Sequence, residues 1–91
     1  MKIPKKLKIG GHIVRVNCSQ RLEGLNGEAI IEKNLIKICK DIPQDQKEST
    51  LLHEILHFCN STIGDDNNHH LIIDGLAEQL YQVLKDNNLL R

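Results

Sequence analysis

The hydrophobic pattern changes its period partway along this 91-residue chain. Between Lys8 and Val16, the residues Ile9, Ile13, Val14 and Val16 alternate loosely with polar neighbours around a Gly10-Gly11 break, which predicts a strand or the arm of a bent hairpin. Residues 24–27 open and close on glycine and supply turn chemistry. Two short runs rich in β-branched residues follow, Glu28 to Glu32 and Leu35 to Cys39, and Lys33-Asn34 between them predicts a tight turn joining antiparallel strands. The expected sheet has about three antiparallel strands, a small number that suffices when a helix covers one face.

Beyond Cys39 the period lengthens. Pro43 suits a first helical turn, because its φ is already helical and its missing N–H would have no intrahelical partner there. A helix is expected from about Gln44 to about Ser61, with Leu51, Leu52, Ile55, Leu56, Phe58 and Cys59 on one side and a polar stripe of Thr50, His53, Glu54 and His57 on the other. Residues 64–68 (Gly-Asp-Asp-Asn-Asn) predict a loop, and a second helix is expected from about His69 to Asp86, stopping at Asn87-Asn88. Its apolar stripe is Ile72, Leu76, Leu80 and Val83, which leaves Asp74 and Glu78 off that stripe. With no repeat, low-complexity tract or internal boundary, residues 1–91 form one α+β domain.

Composition narrows the picture. Phe58 and Tyr81 are the only aromatics, so the core must be aliphatic, and a chain this short buries a modest share of its surface. A bound metal would add to the stability of such a fold. Twelve Lys plus Arg balance 12 Asp plus Glu, which argues against a nucleic-acid partner held by bulk charge. Lys2, Lys5, Lys6, Lys8 and Arg15 make the first strand region locally basic, and such a short run is expected to be a solvated edge. The opening Met-Lys-Ile-Pro-Lys-Lys lacks a secretory apolar stretch and no segment nears the roughly 18 apolar residues of a membrane span, so a cytoplasmic protein without membrane contact is expected. Cys18, Cys39 and Cys59, odd in number and widely spaced, fit free thiols, with Cys59 as a small buried apolar residue.

One five-residue segment carries chemistry. In His53-Glu54-Ile55-Leu56-His57 the two histidines stand four apart, one above the other on a helix, and present two imidazoles to a single point. That arrangement suits Zn2+, with a third protein ligand completing a catalytic site that keeps one position for water. Glu54, rotated about 100° from His53, is placed to act as general base on that water and then as acid to a leaving amine. Asn60 and Ile63 stand where the metzincin pattern needs Gly and His, so the third ligand must come from elsewhere. Asp74 and Glu78, four apart on the second helix, are the leading sources, with Asp66, His69 and His70 as alternatives. Tyr81 or His70 could donate to the oxyanion of a tetrahedral intermediate, although core packing for Tyr81 and a solvated helix start for His70 are the plainer roles.

The segments Ser-Thr-Leu-Leu-His-Glu-Ile-Leu-His-Phe and Ile-Ile-Asp-Gly-Leu-Ala-Glu-Gln-Leu-Tyr-Gln-Val-Leu-Lys-Asp-Asn, with the strand pair before them, resemble gluzincin metallopeptidases, closest to the short phage-type and ImmA/IrrE-like zincins and the minigluzincins. The resemblance covers roughly residues 28–88 and implies a minimal zincin fold, a zinc-dependent endopeptidase acting on a peptide or protein substrate, Asp74 as the acidic ligand and Glu78 as the partner of His53. Gluzincins use Glu as that ligand. Asp74 is one methylene shorter, so the helices would have to approach more closely. The resemblance further implies that an edge strand beside the metal helix receives substrate as an added strand, for which Leu35 to Cys39 is the expected segment. Two other readings remain open at this point: a metal-stabilised regulatory or phage accessory module with little turnover, and a latent peptidase whose own terminus fills the cleft.

Overall fold

A computed structural model describes residues 2–9, 11–63, 73, 75, 77, 78, 80 and 81, with side chains described for all of these except 59–63. Strand β1 (Lys6–Ile9) turns back into β2 (His12–Gln20) through Gly11, whose φ of +81° is open to glycine at no steric cost. Strand β3 (Gly27–Ile30) is followed by a single 3-10 turn, Ile31–Lys33, and by β4 (Leu35–Cys39). Asn34 closes that turn in the left-handed region, φ 49°, with its N–H donating to the Ile31 carbonyl at 3.1 Å. The first run of the expected pair therefore ends at Ile30 as a strand, and Ile31 and Glu32 belong to the turn.

The sheet has four strands in the order β1-β2-β4-β3, antiparallel at both outer pairs and parallel between β2 and β4. This corrects the expectation of three antiparallel strands. It also corrects the assignment of Leu35 to Cys39 as the edge, because that segment is β4, an inner strand, and the edge beside it is β3. Side-chain size explains the order. The residues of β4 that face the helix, Ile36 and Ile38, are fully buried and fill the centre of the layer, whereas β3 offers only Gly27 and Ala29 on that face. Large aliphatic side chains stabilise the middle, at roughly 1.5–3 kcal/mol each when fully buried, and small ones suit a rim where the helix comes close.

Helix α1 (Gln44–Ile63) agrees with the expected span of about Gln44 to about Ser61, begins with Lys47 N–H donating to the Pro43 carbonyl at 3.0 Å, and lies across the sheet. Leu51 and Phe58 join Val14, Val16, Ile36 and Ile38 in one core. The polar residues Glu48, Ser49, Thr50 and Glu54 on α1 are buried as well, so this helix is enclosed on more than its apolar side. Residues 73, 75, 77, 78, 80 and 81 are each helical, in keeping with the expected second helix. Among its described residues Ile73, Ala77 and Tyr81 are buried, while Leu80, expected on the apolar stripe, is 39% exposed. Ile72, Leu76 and Val83 lie outside the described residues. Among the described residues, no helix is long and apolar enough to cross a membrane.

Candidate metal centre

The site is built on the middle of α1. Four-residue spacing stacks His53 and His57 on one flank, both half-buried, and brings their Nε2 atoms to 3.1 Å, with ring centroids 4.8 Å apart and planes at 65°. Two imidazoles so placed share one N–H between them when no cation is present, since at most one of the facing nitrogens can donate while the other accepts. The same separation suits a divalent ion. With zinc–nitrogen bonds of about 2.05 Å, two nitrogens this far apart subtend roughly 100° at the metal, close to tetrahedral.

Glu54 points along a different radius. It is only 5% exposed, and the ligand atoms of His53, Glu54 and His57 all lie within 4.8 Å of one another. Its neighbour across the layer is Gly27 at the start of β3. A Cβ on Gly27 would collide with Thr50 Cγ2, sit 3.1 Å from the Lys37 carbonyl oxygen and stand 3.2 Å from Glu54 Oε2. The absent side chain is what lets the edge strand and the Glu54 carboxylate come together.

A cleft of about 390 Å³ runs between residues 24–27 and the flank of α1 that bears Gln46, Ser49, His53 and Glu54. Glu78 also lines it, so the structure brings one of the two acidic candidates of the second helix to the same opening as His53. Glu78 does not belong to the three-residue group formed by His53, Glu54 and His57. A larger depression, about 550 Å³, lies among Ile3, Lys5, Arg15 and Leu35, but no histidine or carboxylate lines it and it brings together none of the expected site residues.

Tyr81 is placed elsewhere. Its buried hydroxyl donates to Glu48 Oε1 at 2.8 Å, and Gln44 Nε2 donates to Glu48 Oε2 at 3.4 Å. Burial opposes the charge on Glu48, yet hydrogen bonds from Tyr81, the chain's amino terminus and Gln44, with the attraction of that terminus, outweigh it and hold the carboxyl below the usual carboxylate range. Asp66, His69, His70 and Asp74 lie outside the described residues, as does the side chain of Cys59, while Cys18 and Cys39 are free thiols. Sequence reasoning missed two residues of this region. Gly27 was readable only as a turn residue, although a glycine within a strand signals close backbone approach. Glu48 gave no sign of burial, because its partner stands 33 positions away.

No model of a known protein family, no curated protein and no solved structure matches the chain.

Proposed function

We propose that this chain is a zinc-dependent peptidase that hydrolyses a peptide bond in the cleft beside α1. The observation that carries the reading is the 3.1 Å convergence of His53 Nε2 and His57 Nε2 next to the buried carboxylate of Glu54. Two neutral nitrogen donors plus one acidic donor from residues 73–81 form a set that suits zinc. Asp74 is that donor by the gluzincin resemblance, and Glu78 has in its favour a position on the cleft wall. A divalent ion held there supplies Lewis acidity, polarising a peptide carbonyl and acidifying a water.

The chain's own residues do the rest. Glu54 takes the proton of the attacking water and returns it to the departing amine, and its burial keeps the carboxylate aimed into the site. The edge strand holds the substrate backbone. Cys39 N–H donates to the Asn26 carbonyl, so in the antiparallel pairing of β3 with β4 the main-chain groups of Glu28 and Ile30 also turn inward, and those of Gly27 and Ala29 face the open edge. A peptide added there pairs through its backbone, which gives affinity with little demand on sequence.

The test joins elemental analysis to one substitution. Purified protein should carry about one zinc per chain, and Glu54→Gln should keep the zinc and the fold while peptide cleavage falls by roughly 10²–10⁴-fold. A metal-free chain of equal stability would reject the zinc. A zinc-bearing chain in which wild type and Glu54→Gln are equally inert toward peptides would reject the peptidase and favour a metal-stabilised binding module.

A further inference from the structure

We infer that the Glu48–Tyr81 hydrogen bond is a positioning couple for the metal centre, fixing residues 73–81 across α1 so that a carboxylate from this segment meets the histidine pair; the inference rests on the zinc reading above. Glu48 precedes His53 by five residues, which at about 100° per residue puts it some 140° around α1 from that histidine. Tyr81 is held at Glu48, 2.8 Å away, while Glu78, three residues earlier on the same helical segment, lines the cleft with His53. The segment is thus tied to α1 at Glu48 while Glu78 faces the cleft on the flank of His53, and the tie sets the rotation that keeps Glu78 there.

Apolar burial does not do this alone. Ile73 and Ala77 are buried, but burial of aliphatic surface has no direction and tolerates sliding or rotation. A hydroxyl donating to an ionised carboxylate is directional and stronger than a neutral pair. Glu48 is only 8% exposed, and a carboxylate there pays a desolvation penalty that a leucine would not. An ionisable group kept at such a position fits a role in geometry better than one in raw stability.

The test is zinc affinity, measured on the full chain by competition with a chromogenic chelator, alongside the visible spectrum of the cobalt-substituted protein. Tyr81→Phe keeps the ring and removes only the hydroxyl, so the chain should remain folded at the assay temperature by circular dichroism. Zinc affinity should fall by about 10–100-fold, the usual range for residues that orient a metal's ligands, and the cobalt bands should weaken as water replaces a protein oxygen. Glu48→Leu should lower affinity at least as much, since it also removes the bond from Gln44, and adding Tyr81→Phe to Glu48→Leu should cost no further affinity, because the bond they share is already gone. If Tyr81→Phe lowers the melting temperature but leaves zinc affinity and the cobalt spectrum unchanged, the couple is merely structural and the inference fails while the zinc reading stands. If the wild-type chain takes up no zinc, both fall.

Discussion

Helix α1 carries two buried carboxylates six residues apart, and their surroundings differ. Glu48, 8% exposed, is held by hydroxyl and amide donors from Tyr81 and Gln44. Glu54, 5% exposed, sits with two imidazoles and beside a glycine whose missing side chain leaves room for it. The first environment satisfies a charge and holds it still. The second gathers groups that bind cations and exchange protons, with a cleft alongside. Burial alone therefore does not identify a reactive acid; the partners do.

The comparison breaks most sharply at the histidines. His57→Ala removes one of the two converging nitrogens, so zinc binding should weaken by more than the roughly 100-fold typical of an orienting residue. The Glu48 side of the helix should be untouched. Isothermal titration would measure the first, and a Tyr81 fluorescence or ultraviolet signature that stays at its wild-type value would check the second. Retained affinity in His57→Ala would mean that the pair does not hold the metal.

A smaller effect is expected at Gly27, which belongs to the Glu54 side only. Gly27→Ala drives a Cβ into Thr50 Cγ2 and crowds Glu54 Oε2, and overpacking of this kind costs about 1–3 kcal/mol. Activity should fall with stability. Thr50→Ser deletes the colliding methyl, so the double variant Gly27→Ala/Thr50→Ser should recover much of the loss in a urea melt. A Gly27→Ala chain as stable as wild type would show that β3 and α1 do not need this close approach.

How far these features were legible follows from their range. The α1 start at Gln44, the His pair and Glu54 depend on spacing within one helix, and spacing is local information. Strand order is not local. A loosely alternating segment followed by two β-branched runs predicts about three antiparallel strands, yet β4 passes inside β3 because its isoleucines fill the centre and Gly27 and Ala29 cannot. Leu80, expected on the inward stripe of the second helix, is 39% exposed, while the expected core packing of Tyr81 is found. Counting apolar residues favoured Leu80, whereas Tyr81 turns inward to a carboxylate on another helix.

The finest difference between the two acids is in their response to pH. Glu48 has a folded-state pKa below its ordinary value, so its ionised form favours the folded chain. That contribution is fully present above the unfolded-state pKa, about 4.3 for Glu, and is lost as pH falls through the lower folded-state value. Glu48→Gln keeps an oxygen to accept from Tyr81 but gives up the charge, and at neutral pH it should cost about 1 kcal/mol, the margin between a charged and a neutral hydrogen bond. Urea unfolding at pH 7 should show this gap between wild type and variant, and the gap should close as the pH falls through the lowered folded-state value, where the wild-type carboxyl also becomes neutral. A gap that persists or widens in acid would mean that the charge on Glu48 contributes nothing to its bond with Tyr81, and that the two carboxylates of α1 are less different than their partners indicate.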